Sequence, residues 1–191
     1  LEGSFFENGT FQFVGFYQNI QDYIFLRPTG TYEINISGSF PVFVYDQTNA
    51  ALFGSDLSLA YNFGRNFQAL VQVSFLKGND ISDDVPLIVM PANNGLAKLT
   101  YTFEDGQKLR NTRFGLSGKY VAQQKHLNAD QDFVLPPDSY FLIGAEAKTE
   151  TSLGKNKLEI SLRGDNLLNT VYRDYLNRQR YFADDLGINI Q

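Results

Sequence analysis

The chain has 191 residues, 43% hydrophobic, 15% aromatic and 19% charged, with 17 Phe and 11 Tyr but no Trp or Cys. A balance of aromatics and 16 Gly against a single Met favours strands and turns, so an all-β chain is expected. A net charge of -5 excludes a nucleic-acid surface built on clustered Lys and Arg, and the lack of Cys excludes disulfides and thiolate metal sites.

Strands are expected at 10–27, 40–63, 66–77, 94–104, 110–122, 138–150, 156–166 and 186–191. The stretch 40–63, "FPVFVYDQTNAALFGSDLSLAYNF", lacks the Asn-Gly or Gly-X pair of a tight hairpin at Thr48 and Asn49. As one strand of ~24 residues it would stand about 60 Å tall at ~40° tilt. Soluble strands usually run ~3–10 residues, so a soluble fold would have to break it, with Gly54 as the candidate bulge.

Alternation is clear further along. Phe67, Ala69, Val71, Val73 and Phe75 oppose Gln68, Leu70, Gln72 and Ser74. In "RFGLSGKY", Phe114, Leu116, Gly118 and Tyr120 oppose Arg113, Gly115, Ser117 and Lys119. In "LEISLRGD", Leu158, Ile160, Leu162 and Gly164 oppose Glu159, Ser161, Arg163 and Asp165. Two arrangements produce such faces: a soluble sandwich or barrel with its apolar side inward, or a transmembrane barrel with apolar residues against lipid and polar ones around a wet lumen. No run approaches the ~20 apolar residues of a membrane helix, and "LEGSFF" lacks the basic head and apolar centre of a signal peptide. The connections "FGRN" (63–66), "EDGQ" (104–107) and "LGKN" (153–156) are tight, whereas 78–93, 123–137 and 167–185 are long. With these strands every tight turn falls on one side and every long loop on the other, the pattern of transmembrane barrels.

The segment "GDNLLNTVYRDYLNRQRYFADDLGINI" resembles the C-terminal segment of TonB-dependent outer-membrane receptors, in which Asn-Leu-Leu-Asn precedes a Tyr-Arg pair and a last strand. "YQNIQDYIFLRP" (17–28), "VYDQTNAALFGSDLSLAYNF" (44–63) and "PLIVMPANNGLAKLTYTF" (86–103) resemble other segments of that family in the same order. Ile188 departs from the Arg common in the family's closing Gly-Arg-Asn. The resemblance implies a fold and a role. The chain would be all-β, an antiparallel transmembrane β-barrel, with residues 1–191 forming a C-terminal fragment of about eight strands from a barrel of about 22. The plug, signal peptide and energy-coupling segment would lie upstream of Leu1. "GINIQ" is expected to be a last strand cut short, because family members run on to a terminal aromatic. The intact protein would take up a scarce solute, an iron chelate, a cobalamin or a glycan, as a multi-pass protein of the bacterial outer membrane. Its partners would be a TonB-type energy-transducing complex reached through the absent N-terminal region, outer-membrane lipid, the small solute and, as a candidate, a surface lipoprotein.

Site chemistry is sparse. His126 is the only histidine, which removes a His-rich metal site; as a loop residue it is a weak ligand-contacting candidate. "NADQDF" places Asn128, Asp130 and Asp132 at alternate positions, but Phe133 and Ser139 stand where a calcium loop needs Gly and Glu, so an EF-hand is rejected. Asp80, Asp83 and Asp84 are weak loop candidates for calcium, against the ordinary reading of a hydrated acidic cluster. Arg173, Arg178, Arg180 and Tyr181 are weak candidates for an anionic or aromatic ligand; the favoured reading makes them loop packing with Asp174, Asp184 and Asp185 as partners. Asn8 and Asn35 match the glycosylation pattern, a coincidence in a bacterial setting. No phosphate cradle, nucleophile elbow or catalytic carboxylate pair is recognisable, so no enzyme and no cofactor are expected. Two other classes stay open: a complete small structural or adhesive outer-membrane barrel, and a soluble lipocalin-like binding module.

Overall fold

A computed structural model describes residues 1–128 and 132–191. The described residues form one antiparallel sheet: β1 (Glu2–Phe5), β2 (Gly9–Asn35), β3 (Gly38–Phe63), β4 (Phe67–Asp80), β5 (Val85–Pro86), β6 (Asn94–Thr102), β7 (Leu109–Val121), β8 (Tyr140–Leu153), β9 (Asn156–Asp165) and β10 (Asn189–Ile190). Strands pair with their sequence neighbours from β1 to β10, except that the short β5 lies aside on β4 and β6 takes the next place in the wall. β1 and β10 are the two edges and do not pair with each other, so the sheet does not close into a small barrel.

The long strand is unbroken. β3 runs 26 residues, its Ala50–Phe63 stretch pairs with β4 without a register shift, and Gly54 is an ordinary ladder position facing Leu76. Its Cβ position is nevertheless occupied: a side chain there would meet the Phe75 carbonyl at 2.6 Å and the Phe16 ring at 2.8 Å. The bulges are in β2 instead, between Ile20 and Tyr23 and between Pro28 and Tyr32. Asp22 at φ 57° and Gly30 at φ 74° supply the left-handed residues that such bulges use.

One expectation about the turns fails. Asn35 to Gly38 closes β2 and β3 with a tight hairpin at the end where the long loops emerge, so tight turns are not confined to one side. The Asn35 side chain accepts the Ser37 N–H at 2.8 Å and Gly38 sits at φ 137°, a locally closed turn that needs no Asn-Gly pair. β2 therefore extends eight residues beyond the expected 27, and beyond Ala50, where β4 ends, β2 and β3 continue as a two-stranded ribbon. The turn expected at 104–107 is a longer 103–108 connection, and the expected strand 186–191 reduces to two ladder pairs, Asn189 with Asp165 and Ile190 with Gly164.

The two faces of the wall follow the register. Val71 lies opposite Leu59 and Ala97, Leu99 opposite Leu116, and Ala147 opposite Leu162, so one face is continuously apolar. It is also uncovered: Leu158, Ile160 and Leu162 are 41%, 52% and 58% exposed. A soluble sandwich or lipocalin buries that face. Aromatic rings bound it at both ends. Phe63, Phe67, Tyr101 and Phe114 sit in register toward the tight-turn end, with Phe67 and Tyr101 centroids 4.6 Å apart. Tyr17, Phe53, Phe75, Tyr120 and Phe141 occupy the same face toward the loop end. From Phe67 to Phe75 the strand rises about 26 Å, or about 20 Å along the normal at ~40° tilt, close to the ~25 Å apolar band between the aromatic girdles of outer-membrane barrels.

The opposite face is polar and cross-linked. Ser74 donates to Asp56 at 2.6 Å, and Lys98 on β6 reaches across β7 to Glu146 on β8, also at 2.6 Å. Gly115 lies beneath that bridge, where a Cβ would meet Glu146 Cγ at 3.0 Å and Lys98 Cε at 3.1 Å. The small buried clusters lie toward the loop end of this face. Leu87 and Met90 fold back onto Ala50, and Ala92 packs on Val121 and Tyr140. Burial in this chain is of loop against wall, and no large side chain among the described residues is completely buried.

Candidate functional site

The polar ends of the long loops converge on the β2–β3 ribbon. Two asparagines of the Asn-Leu-Leu-Asn motif start this convergence. Asn166, 3% exposed and at φ 52°, donates through Nδ2 to the carbonyls of Thr170 at 2.9 Å and Leu186 at 3.2 Å, and its Oδ1 accepts the Thr170 N–H at 2.8 Å. Asn169, also at positive φ, accepts the Ile188 N–H at 3.3 Å. The motif is thus a clasp that turns the chain after β9 and ties both ends of the 167–188 loop together. Asn tolerates the left-handed backbone and offers donors and an acceptor on one short side chain.

Beyond the clasp, Tyr140 donates to Asp174 at 2.6 Å with its ring 4.5 Å from that of Tyr172. Asp185 accepts the Asp174 N–H at 2.7 Å and the Asn177 amide at 2.8 Å. Asn177 then accepts the Gln179 N–H at 2.9 Å, capping a single 3-10 turn, Arg178–Tyr181.

That turn presents Arg180. Its guanidinium is 3% exposed and lies 4.6 Å from the Tyr175 ring centroid and 4.5 Å from that of Tyr181, held between two aromatic faces. Nη2 donates to Asp132 at 2.5 Å and to the Tyr181 hydroxyl at 3.0 Å, while Tyr181 donates to the other Asp132 oxygen at 2.9 Å. Nη1 is buried with no hydrogen-bond partner among the described residues. Burial raises the Tyr181 and Tyr175 phenols above their usual range; for Tyr181 the Arg180 charge opposes this and Asp132 reinforces it. Both phenols stay protonated at neutral pH. The ribbon supplies the floor: Phe43 lies 5.8 Å from Tyr181 and 5.3 Å from Phe133, and Phe40 lies 5.7 Å from Phe182. A cavity of about 250 Å³ opens between this turn, the ribbon and the 88–90 segment.

The expected site residues fall in different places. Arg180 and Tyr181 come together as described, and Arg178 is exposed on the rim of the same cavity. Arg173 pairs with Asp184 at 2.6 Å and donates to the Arg180 carbonyl at 2.8 Å, the packing role expected of it. Arg180 has a partner the sequence does not suggest, Asp132, 48 positions earlier. His126 does not line the cavity beside Arg180: its Nε2 lies 2.7 Å from Asn79 Oδ1, and it lines a separate cavity with Phe75 and Lys77. Partial burial and then the Lys77 charge lower its pKa from the ordinary 6.5.

Asp80 is buried, and its Oδ1 accepts from Thr48 at 2.5 Å and from the N–H groups of Ser82 and Asp83 at 2.9 and 3.2 Å, which shapes the turn after β4. Asp83 and Asp84 are exposed, and no group of three or more candidate ligands suited to a metal ion forms among the described residues. Asp130 of the rejected calcium pattern lies outside the described residues. Tyr175, Phe43 and Phe133 belong to the cluster but carried no signal beyond being aromatic.

No family model and no curated protein matches the chain. Solved structures do. Over 96% of its length the chain superposes on the copper transporter OprC with a TM-score of 0.72 at 20% identity, covering 28% of that protein. It superposes on the FrpB iron transporter from Neisseria meningitidis, F5-1 variant, with a TM-score of 0.65 at 22% identity, again covering 28%. For the F3-3 variant of the same transporter the values are 0.64, 19% and 27%. The chain therefore spans less than a third of the length of these proteins. Its all-β wall, apolar without and polar within, has the fold of a stretch of barrel from the TonB-dependent outer-membrane transporters, the family that its C-terminal motif resembles.

Proposed function

We propose that this chain is the C-terminal portion of the barrel of an outer-membrane receptor that takes up a scarce solute with energy relayed through a TonB-type complex. The observation that carries the reading is the uncovered apolar face, bounded by aromatic rings on both sides and backed by a polar, cross-linked face. Such a face is stable against lipid and costly against water. The likeness to copper and iron transporters supports solute uptake as the role, and a metal or its chelate as the first solutes to test, ahead of cobalamin or a glycan. In this reading β1 and β10 are the edges at which the remaining wall continues. The plug and the segment that engages the TonB-type partner belong to the part of the receptor outside residues 1–191, and the ribbon and long loops face outward, where a solute or a surface lipoprotein would meet them. The protein works as a transporter, not an enzyme.

The test uses the full-length protein in its own cell. It is expected in the outer-membrane fraction, released by detergent and migrating differently on gels with and without heating. Deleting its gene, or dissipating the inner-membrane proton gradient, is expected to abolish uptake of one scarce solute. Recovery of the full-length protein in the soluble fraction would overturn the reading.

A further inference from the structure

The cavity beside the Arg178–Tyr181 turn has a chemistry more specific than that of a general solute-facing loop. Its lining is aromatic and apolar over much of its area, with Tyr23, Phe43, Tyr45, Tyr175 and Met90 among the walls. The charged side chains that line it are Arg178 and Arg180, and no Asp or Glu does. Asp132 neutralises Arg180 from the Nη2 side and is itself 6% exposed. Nη1 of the same guanidinium is buried with no hydrogen-bond partner among the described residues. Arg178 is exposed, and no hydrogen bond or ion pair of its side chain occurs among the described residues. A buried cationic N–H without an acceptor is rare in folded proteins, because its desolvation goes uncompensated. An acceptor brought by a ligand removes that deficit.

We infer that this cavity binds an aromatic carboxylate: the carboxylate accepts from Arg180 Nη1, Arg178 adds a second positive charge at the rim, and the ring packs among the tyrosine and phenylalanine side chains. The geometry suits this occupant on three counts. Arg180 Nη1, which Asp132 and Tyr181 leave without a partner, offers a cationic N–H to a carboxylate oxygen. The packing of Arg180 against the Tyr175 and Tyr181 rings holds that nitrogen in place before the ligand arrives. A lining without acidic side chains imposes no repulsion on an anion, while a cation of the same shape would find no carboxylate in the lining and would meet the positive charge of Arg178 at the rim. The inference rests on the receptor reading in that the cavity lies among loops facing the outside medium.

The test is equilibrium binding to the full-length protein in detergent, followed by fluorine NMR, with 4-fluorobenzoate as the anionic probe and 4-fluorobenzamide as its neutral counterpart. The benzoate is expected to bind about tenfold or more tightly than the benzamide, the difference expected of a charge-assisted contact. Arg178→Gln, which leaves the Arg180–Asp132 pair intact, is expected to weaken benzoate about threefold or more and leave benzamide unchanged. Leu176→Trp, at an exposed position on the cavity wall, is expected to block both probes. Arg180→Lys is expected to abolish the preference for the anion; because this variant can disturb the loop, Arg178→Gln keeps the test decisive. Equal binding of the two probes, no binding of benzoate, or benzoate binding indifferent to Arg178→Gln would overturn the inference. If the full-length protein still shows heat-modifiable migration and solute uptake, such a failure removes the carboxylate site and leaves the receptor reading standing.

Discussion

The wall between the two aromatic girdles and the ribbon-and-loop region above it are made of the same two strands, β2 and β3, yet they are stabilised by different physics. In the wall, β3, β4, β6, β7 and β8 have neighbours on both sides and a repeating apolar outer face, so stability is distributed over many equivalent ladder positions. Above Ala50 the ribbon has lost β4, and its order depends on a few concentrated contacts: Arg180 with Asp132, rings packed at a tilt on Phe43 and Phe40, and the Thr48–Asp80 hydrogen bond. A distributed structure tolerates single changes on its polar face, whereas a concentrated one fails at single residues.

The largest effect is therefore expected at the concentrated end. Arg180→Met leaves the Asp132 carboxylate buried without its cation and is expected to cost about 3–5 kcal/mol, confined to the loop and ribbon. Hydrogen exchange would show lost protection in 172–185 and in the ribbon while β4, β6 and β7 stay protected; loss of protection throughout the wall would erase the distinction between the two regions. In the wall the contrast is between faces. Val71→Arg, midway between Phe67 and Phe75 on the apolar side, is expected to destabilise the folded barrel by about 2–4 kcal/mol in lipid vesicles. Gln72→Arg, one residue away on the polar side, is expected to change stability little in the same urea titration. Equal effects at the two positions would mean that the outer face does not meet lipid.

The Asn-Leu-Leu-Asn clasp joins the two regions. Asn166→Ala removes two donated hydrogen bonds and one accepted, and puts Ala at φ 52°; it is expected to cost about 1–3 kcal/mol and to open 167–188 to proteolysis. An unchanged cleavage pattern would remove the clasp role. A smaller effect follows from His126. Its folded pKa lies below the ordinary 6.5, so the folded loop disfavours the protonated form, and the stability it contributes is present above pH 6.5 and is lost as pH falls below that value. Protection of the segment around His126 is expected to fall between pH 7.5 and 5.5, and His126→Asn is expected to remove that dependence. The smallest effect is expected from the exposed Arg27–Asp46 pair in the ribbon. Its hydrogen bond from Arg27 holds Asp46 below the usual carboxylate range, so its contribution is present above about pH 4 and is lost only as the medium becomes more acid. Arg27→Ala is expected to leave ribbon protection at pH 7 within error, and a large loss there would show that the ribbon also depends on surface charge.

The alternating strands were legible in the sequence because period-two patterning is local: Phe67 to Phe75, Phe114 to Tyr120 and Leu158 to Gly164 each write their own face, and the tight turns at 63–66 and 153–156 carry their own Gly. The Asn-Leu-Leu-Asn segment was legible for the same reason, since its bonds to Thr170 are short-range. The length of the ribbon was not, because residues 28–39, with Pro28, Gly30 and Gly38, write no clean alternation and become strand only by pairing with each other. Nor was the partnership of Arg180. The sequence offered Asp174, Asp184 and Asp185 nearby, and only the folding of two separate loops onto one ribbon brought Asp132 to the guanidinium and left its second nitrogen buried with no partner among the described residues. Local periodicity fixes which side of a strand is apolar, but which charges meet across loops depends on long-range closure that no window of sequence records.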